Sequence, residues 1–553
     1  MFLRCLIAAL GLACSLNSLA QNAPAPQPAA PASAASAPAG PRFDLLEFEV
    51  VGNSVLPDTV VEQAVSPFLG ENKTMADLEG ARTALERAYQ DAGYLTVLVD
   101  IPEQRISEGV VQLRVTEGRV DRLRVTGSRY YSQGFIRAQV GELAPGKVPD
   151  FNTMQRQLAT VNREQRQVQP LLRPGLTPGT VEAELRVADQ LPVGASVDLN
   201  NRHAAGTAAL RSTSTLRYDN LFQADHSLSA TFITAPEDVK SSRVLSLGYS
   251  APLVGPHSLG LSLVLSDSRS EPLGAATVLG KGLTLGLRWL RSDSVGDGLH
   301  TLSAGVDYKT FRERVEAGSD VLSTPLRYLP LSLGYNGSWF GPQVQASLGS
   351  TLVVGLRSVL PRSVDCPGNI GPVDQFACKR QNSDGSFALL KLDASTTWRQ
   401  FTLRVAGQLT GDLLPSSELY SAGGATTVRG YFENEASGDT ALLAGLEWRS
   451  GNLWPKPAAS ANTPAVAPAA TPAWWGLQSL TALAFAEAAR VRTLEPAAGQ
   501  AARVPLAGAG VGLRLKAQRH LDAELDLAWP LKRTAASPDT REPRLHVRVA
   551  AQF

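Results

Sequence analysis

The chain has 553 residues, with 52 Lys or Arg against 51 Asp or Glu, so its formal net charge is only +1. This balance gives no basis for a nucleic-acid partner or an acidic ligand. After the N-terminal segment no run of about 18 apolar residues occurs, which excludes a membrane-spanning helix in the mature chain. The mature chain is therefore either soluble or crosses a membrane as a closed β-barrel.

The first 42 residues predict export. The opening "MFLRCLIAALGLACSLNSLAQ" has one Arg, an apolar stretch and then "SLA", the small-x-small pattern that signal peptidase cuts after. We predict a signal peptide over residues 1–20. A lipoprotein with Cys14 lipidated is the poorer alternative, because Gly11 stands where a bulky aliphatic residue is preferred. The Ala/Pro-rich residues 21–42 predict a flexible or partly polyproline linker.

Residues 43–192 read as two α/β units in series, 43–119 and 120–192. In the first, "FDLLEFEVVGN" is extended, Thr74 and Asp77 form a capping-box-like helix start, and "YLTVLVDIP" and "GVVQLRVTEG" follow as strands. The helix shows apolar residues at helical spacing: Leu78, Ala81, Leu85, Ala88 and Ala92. In the second, "RVDRLRVTGSRYYS" is extended, "FNTMQRQLATVNRE" is helical and "TVEAELRVAD" is a strand. Such a repeat argues against a single enzyme domain.

Residues 193–553 alternate in polarity with a period of two. "HSLGLSLVLSD" and "KGLTLGLRWLR" are examples, and we count about sixteen such segments of about ten residues, the length of a tilted membrane-spanning strand. The closing segment "RLHVRVAAQF" puts one set of residues on a single face: Leu545, Val547, Val549, Ala551 and Phe553. Its other face carries His546, expected to meet water in a pore. A soluble β-sandwich also alternates, but it would bury polar groups in its core. We predict a sixteen-stranded antiparallel transmembrane β-barrel in contact with outer-membrane lipid.

Two cysteines remain after the predicted signal peptide. Cys366 and Cys378 lie close together in "VDCPGNIGPVDQFACKR", and in an oxidising compartment they most simply form a disulfide that closes a loop. A metal site would need further ligands nearby, and none is present. The six histidines are scattered, and neither HExxH nor GxxxxGK[ST] occurs. We therefore predict no catalytic residue, no metal and no cofactor, and the chain is not expected to be an enzyme.

The order of these features resembles a known family. A signal peptide, a Pro-rich linker, two units carrying "VVGN", "EGVVQLRVTEGRV" and "LLRPGLTPGTVEAELRV", then a barrel with "VRGY" and a terminal Phe, are similar to the outer-membrane transporters of two-partner secretion. That family includes the transporters of haemolysins and filamentous adhesins. The resemblance runs from Phe43 to Phe553 and implies two periplasmic POTRA modules, 43–119 and 120–192, followed by a barrel, 193–553, in the bacterial outer membrane.

The resemblance also implies a function. The POTRA modules would recognise an unfolded partner exoprotein in extended form, a large adhesin, haemolysin or toxin, and a monomeric barrel would secrete it to the cell surface. The alternative is a factor that assembles other barrels into the outer membrane, which shares the same plan and the same arginine motif. Two POTRA modules favour secretion, because assembly factors generally have more. A passive porin is the third possibility, and the modules argue against it.

By the same resemblance, a four-residue motif forms the tip of a long loop that folds into the barrel lumen: Val428, Arg429, Gly430 and Tyr431. An unpaired guanidinium away from bulk water costs several kcal/mol, so Arg429 must meet carboxylates. Glu487 is the expected main partner and Glu447 the alternative, although Glu447 also suits a wall ion pair unrelated to the loop. Phe485 shares a strand face with Glu487 and is expected to pack against Tyr431.

The chain departs from the family pattern in three places. The pattern Phe-x-Asp-x-Gly reads Phe485-Ala486-Glu487-Ala488-Ala489, so the acid is one methylene longer and the glycine is replaced. The loop tip is therefore expected to sit differently. Residues 22–40 are too rich in Pro to form the N-terminal plug helix that some members carry. An Ala/Pro-rich insert, residues 455–473, lengthens what should be a short periplasmic turn, and its role is not indicated by the sequence.

Overall fold

The computed structural model describes most of the chain after the linker, in eleven stretches: residues 42–105, 109–239, 241–270, 276–317, 320–360, 362–366, 371–454, 476–497, 499–518, 520–535 and 537–553. The predicted signal peptide, the predicted linker before residue 42 and the insert 455–473 lie outside the described residues. The chain divides into two compact units. One runs to Leu123 and adds Gly141–Gln157 and Leu171–Ala183, and the other comprises Arg124–Val140, Leu158–Pro170 and Glu184–Phe553.

The first module has two small sheets and two α-helices. Its elements in chain order are β1 (Phe43–Leu45), β2 (Glu47–Val51), α1 (Asp58–Val65), a 3-10 turn (Ser66–Phe68), β3 (Gly70–Lys73), α2 (Met75–Asp91), β4 (Val97–Asp100) and β5 (Val110–Glu117). Strands β1 and β3 pair, and a second sheet has the order β2-β5-β4. The predicted extended run "FDLLEFEVVGN" is thus divided between two sheets.

Helix α2 begins as its sequence predicts. Thr74 is its N-cap, and the Thr74 backbone N–H and hydroxyl donate to Asp77 Oδ2 at 2.8 and 2.7 Å. These hydrogen bonds, the side-chain one above all, hold the pKa of Asp77 below its ordinary value. The buried face of the helix is formed by Leu78, Ala81, Leu85 and Tyr89.

We expect Thr74→Ala to lower the free energy of unfolding of the first module by about 1 kcal/mol, because the first turn loses its cap. Amide hydrogen exchange in the first turn of α2, measured on the full-length protein, should accelerate. Thr83→Ala is the matched control, since the Thr83 hydroxyl donates only to the carbonyl of Glu79 in an exposed part of the same helix and Ala is the better helix former there. Equal rates of amide hydrogen exchange in the first turn of α2 in the two variants would show that Thr74 does not stabilise that turn as its cap.

The second module was predicted less completely. Its elements are β6 (Arg119–Thr126), α3 (Gln133–Gln139), a 3-10 turn (Gly141–Leu143), α4 (Phe151–Val161), β7 (Arg166–Pro174) and β8 (Thr180–Asp189), and its sheet has the order β6-β8-β7. Helix α4 and strand β8 match the predicted ones. The extended run predicted for "RVDRLRVTGSRYYS" ends at Thr126, because the following residues turn and Ser132 caps α3. In the described part of the chain, no helix combines the length and apolarity needed to span a bilayer.

The two modules share a turn device. Gly52 follows β2 and Gly127 follows β6. Their φ angles are +97° and +82°, and a methyl group on either would lie 2.3 Å from a strand carbonyl oxygen. In both modules a carboxylate then accepts hydrogen bonds from backbone N–H groups that follow the glycine. Glu117 accepts from Ser54 N at 2.6 Å, and Asp189 accepts from Tyr130 N at 2.8 Å. This equivalence supports the internal repeat read from the sequence.

A closed antiparallel barrel follows. Its wall in the described residues consists of β9 (Val193–Asn200), β10 (Arg211–Leu221), β11 (His226–Thr234), β12 (Ser242–Pro252), β13 (His257–Ser270), β14 (Ala276–Val295), β15 (Gly298–Ala317), β16 (Asp320–Tyr328), β17 (Leu331–Phe340), β18 (Val344–Gly355), β21 (Phe387–Trp398), β22 (Phe401–Thr410), β25 (Thr440–Arg449), β26 (Leu477–Arg492), β27 (Arg503–Ala517), β28 (Leu521–Pro530) and β29 (Arg544–Gln552). Shorter elements lie in the loops: β19 (Ser363–Asp365), β20 (Pro372–Asp374), α5 (Gln375–Lys379), β23 (Tyr420–Ala422), β24 (Ala436–Gly438) and two 3-10 turns, Arg357–Val359 and Ser416–Glu418.

Strands β16 and β17 occupy one wall position, because they pair with successive parts of β15. The described wall therefore has sixteen strand positions, and the prediction of two α/β modules followed by a sixteen-stranded barrel is confirmed. Strands β14 and β15 have 20 residues each, twice the predicted length. The boundaries of the domains, 43–119, 120–192 and 193–553, stay predictions.

Candidate functional site

The loop between β22 and β25, residues 411–439, is described throughout and turns inward, and we call it the lumen loop. On β25 the exposed Leu442 and Leu446 alternate with the buried Leu443, so the odd-numbered residues of that strand face the lumen. The same parity holds for β26, whose buried residues include Leu483, Phe485, Ala489 and Val491. The loop tip, Val428–Tyr431, lies against this inner face.

The Arg429 side chain is surrounded by acids and is only 7% exposed. Its Nε donates to Glu487 Oε1 at 2.9 Å and its backbone N–H to Glu487 Oε2 at 2.7 Å. Its Nη2 reaches both Glu487 Oε1 at 2.5 Å and Glu447 Oε2 at 2.9 Å. The guanidinium also lies 3.4 Å from the centre of the Phe485 ring. The structure thus brings Arg429 together with both carboxylates named from the sequence.

A third carboxylate, Asp526, was missed by the sequence reading. Arg429 Nη1 donates to Asp526 Oδ2 at 3.3 Å. Asp526 also accepts from Arg514 at 2.6 Å, and Glu447 from Arg449 at 2.6 Å. Asp526 alternates with the exposed Leu525 on β28, so the sequence indicates that it faces inward. Nothing in the sequence, however, indicates that it stands at the height of Arg429.

Two expectations about neighbouring side chains were wrong. His546 does not face water: it is only 7% exposed, and its Nε2 accepts a hydrogen bond from the Gly430 N–H at 3.1 Å. Tyr431 packs in a cluster with Val428 and Leu506, whereas Phe485 packs under Arg429 and beside Leu483 and Ala528. The guanidinium lies over the Phe485 ring because its hydrogen bonds to Glu487 hold it there.

The Tyr431 side chain binds the other side of the loop tip to the wall. Its hydroxyl lies 2.9 Å from the carbonyl oxygen of Ala507 and 2.8 Å from that of Lys532. The hydroxyl oxygen also accepts from the Lys532 N–H at 3.1 Å. Tyr431 and Val428 are both fully buried. The four motif residues therefore contact the wall through ion pairs, an aromatic side chain and backbone hydrogen bonds.

A row of glycines on β27 makes room for the tip. A methyl group on Gly508 would lie 2.1 Å from the Arg429 carbonyl oxygen, one on Gly510 2.6 Å from the Phe485 ring, and one on Gly512 1.9 Å from Asp526 Oδ1. Ala489, which replaces the family glycine on β26, packs in the same buried cluster as Val428 and Tyr431, whereas the glycines of the groove belong to the next strand. The sequence signal was "GAGVGL", three glycines with the period of one strand face.

The remaining predicted residues lie elsewhere on the barrel. Cys366 and Cys378 are joined by a disulfide in the loop after β18. Leu545, Val549 and Phe553 of the closing strand are exposed on its outer face, and Val547 is half-buried. Strand β29 closes the barrel by pairing with β9, in the register that places Val549 opposite Leu199. The described residues contain no group of three or more His, Cys, Asp or Glu side chains with metal-site geometry.

Comparison with known proteins agrees with this architecture. Residues 43–118 match the family model for the POTRA domain of ShlB type, and residues 179–515 match that for haemolysin secretion/activation proteins ShlB/FhaC/HecB. The outer membrane transporter CdiB of Escherichia coli is 25% identical over 182 residues, which are 33% of this chain and only 31% of that protein. CdiB of Dickeya dadantii is 24% identical over 444 residues, 77% of this chain and 75% of the relative. The solved CdiB of Escherichia coli superimposes with a TM-score of 0.63 at 20% identity, over 95% of this chain and 93% of that one.

Proposed function

Because the chain belongs to the haemolysin secretion/activation protein family of the ShlB/FhaC/HecB type, we propose that it is a pore that secretes a partner exoprotein across the outer membrane. It is an outer-membrane protein with its POTRA modules in the periplasm. The observation that carries the proposal is the lumen loop, whose tip is fixed to the inner wall through Arg429. The fixed lumen loop holds the barrel in a conductive arrangement while the partner threads out.

The modules supply the recognition step. In the described residues β2 and β4 each pair with a strand on one side only, so their outer edges present main-chain groups. An extended chain adds to such an edge through backbone hydrogen bonds and needs little side-chain specificity. We therefore assign to the modules the capture of an unfolded partner, a large adhesin, haemolysin or toxin, which then enters the barrel.

The barrel lumen is the passage for the partner, and folding of the partner outside the cell provides the free energy for secretion. The sequence has no GxxxxGK[ST] motif for a nucleoside triphosphate, and the periplasm lacks ATP. Folding of the partner outside the cell prevents its return and draws the rest of the chain outward. A partner variant that cannot fold outside should therefore remain stalled in the pore, where protease added to intact cells cleaves only its emerged part.

Capture at the strand edge is tested by photo-crosslinking in living cells. A photo-crosslinking amino acid at Glu49, an exposed position of β2, should give a crosslink to a large secreted protein identified by mass spectrometry. Arg87 is the matched control, because it is exposed on helix α2 of the same module and away from any strand edge. Crosslinks of equal yield from both positions, or to outer-membrane barrels alone, would contradict capture of an exoprotein at the edge.

A further inference from the structure

Helix α5, beside the disulfide, also enters the barrel. Helix α5 follows β20, and its Phe376, 3% exposed, packs among inner-wall side chains of three strands and the lumen loop: Leu326, Tyr328, Val353, Phe387, Leu389 and Leu414. The neighbouring Gln375 pairs with the backbone of Arg327, accepting from its N–H and donating to its carbonyl, both at 2.8 Å. The Cys366–Cys378 disulfide joins α5 to the residue that follows β19.

This helix lies at the outer end of the barrel. Strand β9 begins at Val193 directly after the modules, and the antiparallel strands alternate in direction around the wall. The ends of β18 and β22 therefore lie opposite Val193, on the side that faces out of the cell. Helix α5 and the lumen loop share this end of the lumen.

Arg380, next to α5, joins this helix to the lumen loop. Its Nη1 and Nη2 donate to the two oxygens of Asp439 at 2.5 and 2.9 Å, and Asp439 is fully buried. Asp439 also accepts from Leu414 N at 3.0 Å and Leu494 N at 2.7 Å. Arg380 donates in turn to the carbonyls of Leu414 and Leu494. Leu414 lies near the start of the lumen loop and Asp439 at its end, so one guanidinium holds both ends.

We propose that α5, its disulfide and Arg380 form a latch that positions the base of the lumen loop and keeps the outer end of the barrel closed. The Arg429 cluster fixes the tip and the latch fixes the base, at separate residues. A two-pronged pair that has a buried carboxylate and also satisfies four backbone groups has one geometry, which a lysine cannot reproduce. Loss of the latch frees the base and lets ions through. This proposal concerns the closed state of the barrel and does not depend on what the barrel secretes.

The test is the ion conductance of the purified full-length protein in planar lipid bilayers. Arg380→Ala should raise the ratio of open to closed time by about tenfold, since a hydrogen-bonded charge pair is lost from the closed state, and Arg380→Lys should lie in between. Arg357→Ala is the matched control, because Arg357 belongs to the same loop but is half exposed and lies 3.6 Å from its partner Asp374. It should leave the conductance unchanged.

A second arm uses the unaltered sequence, in case Arg380→Ala does not fold. Adding a thiol reductant to the inserted protein should raise the open fraction, reoxidation should reverse the rise, and the double variant Cys366→Ser with Cys378→Ser should not respond. Heat-modifiable migration on gels verifies that each barrel is folded. Unchanged conductance in the folded Arg380→Ala protein, or in the reduced protein, overturns the latch. Either result stands whether or not a secreted partner is found.

Discussion

Replacing Arg429 with Ala is expected to free the tip of the lumen loop and to abolish secretion of the partner. The substitution leaves three inner-wall carboxylates, Glu447, Glu487 and Asp526, without the guanidinium that they share. Glu447 keeps Arg449 and Asp526 keeps Arg514, but Glu487 has no other ion pair among the described residues. Removing one partner of a buried ion pair costs about 3–5 kcal/mol, because the remaining charge stays buried and unpaired. Hydrogen exchange of the tip amides should accelerate by orders of magnitude, and the partner should disappear from the medium.

Arg449→Ala is the control for this prediction. Arg449 also donates to Glu447, at 2.6 Å, but its side chain is 55% exposed. An exposed pair contributes at most about 1 kcal/mol, so tip exchange and secretion should both stay near their normal levels. Arg429→Lys should recover little, because an ammonium cannot span three carboxylates as the planar fork does. Slow tip exchange in Arg429→Ala would show that the cluster does not anchor the loop.

Gly508→Ala is expected to displace the same tip while leaving every charge in place. Its new methyl group would lie 2.1 Å from the Arg429 carbonyl oxygen and 3.3 Å from the carbonyl carbon. Backbone atoms cannot rotate away as a side chain can, so the tip must move, at a cost of about 1–3 kcal/mol. We expect faster exchange of the tip amides and reduced secretion. The effect should be smaller than that of Arg429→Ala, because the acids keep their partner.

Gly260→Ala tests whether this result is specific to the groove. Gly260 is also a wall glycine, on β13, but a methyl group there has its nearest neighbour at 3.8 Å. It should therefore be tolerated, with normal exchange at the tip and normal secretion. If Gly260→Ala and Gly508→Ala lowered secretion equally, the loss would reflect general damage to the wall rather than loss of the tip's seat.

The sequence predicts the fold well, because its signals are local. The capping box of Thr74 and Asp77 fixes the start of α2, and alternation along one strand shows which residues face lipid, as in β29. Helix α3 escaped prediction because it has only seven residues and follows a strand that reads as extended through "RYYS". Strand β7, "RQVQPLLRP", escaped because it contains two prolines.

The candidate site was predicted only in part, because its geometry depends on contacts between strands. Alternation shows that Glu487 and Asp526 point inward, but it does not give the stagger of β26 against β28, which decides that both reach Arg429. The same holds for His546 on β29, which accepts a hydrogen bond from the Gly430 N–H at the loop tip. The Arg380–Asp439 pair joins two loops that are 59 residues apart in sequence, and no periodicity links such positions.

The most direct test of the secretion proposal is a quantitative proteomic comparison of culture medium and outer membrane. Cells with the intact protein, with a deletion of it, and with Arg429→Ala are compared. We predict that a small number of large secreted proteins vanish from the medium in the deletion and in Arg429→Ala, while the porins of the outer membrane stay constant. A broad fall in porins with no loss of a particular secreted protein would contradict secretion and favour a factor that assembles outer-membrane barrels.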